Sequence, residues 1–124
     1  MNATKPEHIA LEFVECINNQ DIEGLVALMT ESFTMITDQG EPEVGREVMK
    51  EGFQGYFADF PAYKIHVDKV ARSGDDVAII GKTTGSHIPP EIEAGETVIW
   101  IAKIEGQLVA EWRIFSDMDV EGIT

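Results

Sequence analysis

The chain is 124 residues long, the length of one domain (1–124), and carries 23 acidic against 9 basic side chains, a formal net charge of −14. A polyanion of this kind repels phosphate backbones and anionic lipid, which excludes nucleic acid and membrane surfaces as partners. The lone cysteine, Cys16, leaves no internal disulfide. No apolar run reaches the roughly 18 residues that span a bilayer, and no signal-peptide pattern opens the chain, so a cytoplasmic address is expected.

The first half reads helical. Thr4 to Glu7 fits a capping box, with Pro6 tolerated in the first turn. Ile9, Phe13, Cys16 and Ile17 then recur at helical spacing. Cys16 falls on this apolar face as core filler, with no basic neighbour in sequence to activate it. Asn18-Asn19-Gln20 breaks the pattern, and Asp21 caps a second helix with Ile22, Leu25, Val26 and Met29 on its apolar face. A short strand follows over 32–37, with Phe33, Met35 and Thr37 on one side. Residues 38–43 have loop chemistry. A third helix runs from about Arg46 to Asp59, its apolar positions Val48, Met49, Phe53, Tyr56, Phe57 and Phe60, and Pro61 stops it.

The second half reads as strands over 63–70, 77–87, 97–104 and 108–116. Turns at 73–76 and at Glu105-Gly106, and a longer acidic loop after Ile88-Pro89-Pro90, connect them. Helices first and an antiparallel meander after make an α+β domain. The last two strands are apolar on both alternating sets. Ile99, Ile101, Trp112 and Ile114 are assigned to the face away from the helices, where such a patch predicts a homodimer. Glu111, Arg113, Phe115 and Asp117 then point toward the helices, where charged groups need a wet cavity or mutual pairing.

Val44-Gly45-Arg46-Glu47, Phe60-Pro61, Ser73-Gly74-Asp75-Asp76, Thr84-Gly85-Ser86-His87 with Pro89-Pro90, and Glu105-Gly106 before Glu111-Trp112 and Asp117 follow one another along nearly the whole chain. In this order they resemble the SnoaL-like branch of the nuclear-transport-factor-2-like, or cystatin-like, superfamily. The resemblance implies a cone: three N-terminal helices packed in a curved, mainly antiparallel sheet around one small-molecule pocket. The superfamily hosts isomerases, cyclases, hydrolases, dehydratases and plain binding domains, so fold alone does not select a reaction.

Three of its chemistries bear on particular residues. Ketosteroid isomerases place an Asp general base just after the first strand, where this chain has Asp38; a loop-forming Asp beside Gly40 is the plainer reading. The positions matching that chemistry's acidic oxyanion donors are Phe13 and Trp100, which offer no O–H. The polyketide cyclases resemble this chain around His87 and Asp117, with a carboxylate moving the proton and a His holding the polarised substrate. Here the loop after His87 is shorter and no leucine-rich tail follows Asp117. Epoxide hydrolases surround a water with two carboxylates and an Arg, a pattern Glu111, Arg113 and Asp117 resemble; a structural ion pair is the simpler account.

The expected catalytic set is therefore Asp38, His87 and Asp117 with Arg113 as orienter. The expected pocket lining is Phe13, Met35, Phe53, Phe57, Trp100, Glu111 and Phe115. His8, His66 and His87 show no metal-ligand spacing, and no phosphate loop or nucleophile elbow is present, so neither metal nor cofactor is expected. Two functions fit: a cofactor-independent acid/base enzyme (isomerase, cyclase or hydratase/hydrolase) on an apolar carbonyl- or hydroxyl-bearing substrate, or a non-catalytic ligand-binding or assembly domain built on the same cone.

Overall fold

The structure, a computed structural model, describes residues 5–37 and 41–116. Helix α1 (Pro6–Asn18) starts one residue after the N-cap Lys5, which makes no side-chain capping bond. Thr4, on which the expected capping box rests, lies outside the described residues. Pro6 at the helix start supplies a preset φ. Helix α2 (Ile22–Ala27) is capped by Asp21, whose carboxylate accepts from the Gly24 amide at 3.0 Å. Asn18 clamps the turn between them to the sheet: its side chain donates to the Ile65 carbonyl at 2.9 Å and accepts from the Ile65 amide at 2.7 Å.

Strand β1 (Met29–Thr37) begins where the second helix was expected to continue. Met29 pairs with Val109 and is fully buried, so burial in the sheet outweighs its helical spacing from Leu25. A two-residue strand β2 (Glu43–Val44) lies in the expected loop, and α3 (Arg46–Asp59) follows. Strands β3 (Lys64–Ser73), β4 (Asp76–Thr84), β5 (Val98–Glu105) and β6 (Leu108–Ser116) complete a six-stranded curved sheet in the order β2-β1-β6-β5-β4-β3. All pairings are antiparallel except β1 with β6. The strand expected over 77–87 stops at Thr84, because Gly85 takes φ +72 and turns the chain away. A short helix α4 (Pro90–Glu93) stands inside the loop to β5.

The helices pack on one face of the sheet. Ile9, Phe13, Val14 and Ile17 of α1, with Met49, Phe53 and Phe57 of α3, meet Phe33, Ile79, Trp100 and Trp112. Phe13 sits at the centre, 4.7 Å from Trp112, 5.8 Å from Phe33 and 6.4 Å from Phe53 between ring centroids.

The faces of β6 are the reverse of those expected. Ala102 stands opposite Trp112 and Trp100 opposite Ile114, so Trp112 and Ile114 face the helices and Trp112 is 1% exposed. Ile99 stands opposite Phe115 and Ile101 opposite Arg113, on the outer face. One residue causes the reversal. Pairing passes from Ile104–Val109 to Lys103–Glu111, skipping Ala110. This bulge shifts every later side chain of β6 to the other side. The outer face accordingly carries an apolar row, Ile80–Ile99–Phe115, across β4, β5 and β6. Glu111 and Arg113 pair there at 2.7 Å, outside the cone and not within it.

Candidate functional site

Between α3, the inner face of the sheet and the β4–β5 loop lies a cavity of about 680 Å³, within the range of small-molecule sites. Ile17, Met35, Met49, Phe53, Val98, Trp100, Trp112 and Ile114 make its apolar wall. Its polar positions are Thr37, Glu43, Tyr56, Tyr63, Thr83, Ser86, His87 and Glu96. Neither a lysine nor an arginine lines it among the described residues.

The mouth is built by a helix and a loop. Tyr56 points from α3 toward His87, carried on the loop that Gly85 starts. A Cβ at Gly85 would come within 2.4 Å of the Ala62 carbonyl oxygen, so the turn that aims His87 requires glycine. The Tyr56 phenol oxygen lies 2.9 Å from His87 Nδ1 and accepts from the His87 amide at 3.3 Å. Tyr56, Phe60, Tyr63 and His87 pack edge to face or tilted, with centroids 4.8–6.0 Å apart. Burial raises the pKa of Tyr56 above the usual phenol value, opposed by the hydrogen bonds from the His87 amide and the Ser86 side chain. Burial likewise pushes Tyr63 up, with Tyr56 and Glu93 adding to it. Both phenols therefore stay protonated donors at neutral pH.

Two buried carboxylates belong to the same loop. Glu93, 5% exposed, accepts from the Thr83 hydroxyl at 2.5 Å and the Ser86 amide at 3.4 Å, pinning α4 to β4. Glu96, 4% exposed, borders the cavity, and neither of its carboxylate oxygens has a hydrogen-bond partner among the described residues.

Of the expected site residues, Met35, Phe53, Trp100 and His87 line the cavity. Phe13 and Phe57 are packed into the core behind it. Glu111, Arg113 and Phe115 lie on the outer face, because the bulge at Ala110 reverses the strand. The Glu111 carboxylate, through its hydrogen bond and charge, raises the Arg113 pKa. Asp38 and Asp117 lie outside the described residues. No group of metal-ligating side chains forms among the described residues. Cys16 is half-buried, and burial followed by Asp21, Glu12 and Glu15 raises its thiol pKa, which suits filler and not a nucleophile.

Sequence reasoning missed Tyr56, Tyr63, Thr83, Glu96, Trp112 and Ile114. Tyr56 left a signal: a phenol among Phe53, Phe57 and Phe60 on one helix face is an apolar body with a polar handle that needs a partner. Glu96 left none, since it stands in an acidic run indistinguishable from a solvated loop.

The family description of the SnoaL-like domain matches residues 10–113. No curated protein matches the chain. Among solved structures, a cystatin-fold protein from Novosphingobium aromaticivorans superposes with a TM-score of 0.79 at 18% identity, over 90% of this chain and 98% of that one. A candidate SnoaL-like polyketide cyclase from Jannaschia sp. CCS1 gives 0.76 at 21% identity, over 97% and 90%. A candidate ketosteroid isomerase from Kribbella flavida gives 0.72 at 18% identity, over 90% and 76%. At such identities the likeness is one of fold: the helix-filled, curved-sheet cone.

Proposed function

This chain belongs to the SnoaL-like domain family, and we propose that it is a cofactor-independent acid/base enzyme of the isomerase, cyclase or hydratase/hydrolase type, acting on an apolar substrate that bears a carbonyl or hydroxyl group. The Tyr56–His87 hydrogen bond at the mouth of an otherwise largely apolar cavity carries this reading. The phenol oxygen already accepts from the His87 amide. With the phenol hydrogen directed to Nδ1, the neutral ring carries its proton at Nε2. A substrate oxygen at the mouth would meet this N–H donor, which can stabilise a developing oxyanion in place of the O–H donors that Phe13 and Trp100 lack. Asp38 and Asp117 are kept as proposed proton carriers on the family resemblance. Arg113 is not, since it pairs with Glu111 on the outer face. The candidate polyketide cyclase and ketosteroid isomerase among the fold neighbours agree with this class of reaction.

The test needs no native substrate. Aryl ketones such as 2-acetylnaphthalene are incubated with the protein in deuterated buffer, and exchange at the carbon next to the carbonyl is followed by NMR. The expected result is exchange above the buffer rate that falls on His87→Ala. Binding without exchange across a panel of such ketones would support the other class, a non-catalytic ligand-binding or assembly domain.

A homodimer is part of the proposal, through the outer row Ile80–Ile99–Phe115 in place of the patch first expected. Ile99 is 37% exposed on that row. Sedimentation should give a dimer at micromolar concentration and a monomer for Ile99→Asp; a monomeric wild type removes it.

A further inference from the structure

Glu93 and Glu96 are three residues apart and equally buried, yet the fold treats them differently. Glu93 receives a hydroxyl and an amide, whereas both oxygens of Glu96 are closed off from solvent with no partner among the described residues. A buried carboxylate without donors is costly, and native structures leave few of them. No cationic side chain of the chain lines the cavity beside it. The chain's nine lysines and arginines (Lys5, Arg46, Lys50, Lys64, Lys69, Arg72, Lys82, Lys103 and Arg113) all lie among the described residues, and none lines the cavity that Glu96 borders. The same cavity has a second carboxylate, Glu43, and aromatic side chains in Phe53, Tyr56, Tyr63, Trp100 and Trp112. A negative, aromatic enclosure disfavours a carboxylate or phosphate ligand and favours a cation, through charge-assisted hydrogen bonds and ring faces.

We propose that the cavity takes a ligand with a cationic amine head and an apolar body, and that Glu96 is the side chain that pairs with that head. Glu96 stands next to Gly95 in the short link between α4 and β5. Rotation about its own side-chain bonds turns the carboxylate onto the cavity it borders, and the incoming N–H donors offset its burial. The proposal rests on the cavity being the ligand site of the reading above, catalytic or not, and adds the charge of what enters it.

Three probes with a common ring test this: 2-(1-naphthyl)ethylamine, 2-(1-naphthyl)ethanol and 1-naphthylacetate, titrated into the full-length protein by calorimetry at neutral pH. The amine should bind about tenfold more tightly than the alcohol, the scale of a hydrogen bond to a charged group, and the acetate most weakly. Glu96→Gln should erase the preference for amine over alcohol, and Glu43→Gln should retain it. The preference should also survive about 0.5 M salt, which screens the general attraction of an acidic chain for amines. If Glu96→Gln does not fold, Glu96→Asp reads the same contact by a reduced preference for amine over alcohol. Equal affinities in the wild type overturn the proposal, as does a preference that survives Glu96→Gln, follows Glu43, or vanishes in salt. These are equilibrium affinities. A failure to exchange ketone protons would remove the enzyme reading and leave this one, whereas equal affinities would remove this one and leave the enzyme.

Discussion

The floor and the mouth of the cone obey different rules. At the floor, Phe13, Phe33 and Trp112 are almost wholly buried, with Phe33 and Trp112 each packed ring to ring against Phe13. At the mouth, Tyr56, Tyr63, His87, Glu93 and Glu96 put polar atoms against apolar walls, and each needs a specific partner. The floor stores stability through area removed from water, which tolerates exchange of like for like. The mouth gives up stability for placed donors and acceptors, the mark of a functional region.

Substitutions rank along that contrast. Trp112→Ala should be the largest, costing about 3–5 kcal/mol by urea denaturation, the range for emptying a large buried aromatic site. If it costs less than 1 kcal/mol, the floor is not the structural half. Gly85→Ala should come next, at about 1–3 kcal/mol, because φ +72 is strained for alanine and its Cβ would press on the Ala62 carbonyl. It should also shift the His87 ring resonances in NMR, tying mouth geometry to that turn. Thr83→Val should cost about 1–3 kcal/mol by leaving the buried Glu93 one donor short, and a double-mutant cycle with Glu93→Gln should recover part of the loss. Glu111→Gln on the outer face should change stability by no more than about 0.5 kcal/mol, since both partners are partly open to solvent and surface pairs contribute little.

The mouth should also betray itself at alkaline pH. Burial raises the pKa of Tyr63 above the ordinary phenol value of 10.0. Below pH 10 both folded and unfolded chains hold that proton and stability is unaffected. Above it the unfolded chain releases the proton first, so stability falls as pH rises. Absorbance of phenolate should show Tyr63 ionising only with unfolding, and Tyr63→Phe should flatten the alkaline slope. A Tyr63 that titrates freely near pH 10 in the folded protein would place it outside the buried set.

The amino-acid sequence by itself determined the types of the longer elements, the α+β class and most of the floor, because the period of apolar residues reports directly which face of a helix or strand is hidden. It also pointed to His87, through the resemblance of Thr84-Gly85-Ser86-His87 to the SnoaL-type cyclases, while reading that stretch as strand. Tertiary structure alone decided three things. The bulge at Ala110 sent Trp112 and Ile114 inward and Glu111, Arg113 and Phe115 outward, a one-residue choice that a strand apolar on both sides does not encode. The pairing of Tyr56 with His87 joins residues 31 apart in the chain, a distance no local pattern reports. The separation of Glu93 from Glu96, one carboxylate satisfied and one not, depends on which buried donors the neighbouring strand happens to present. Local periodicity sets what is buried; only packing sets what a buried polar group finds there.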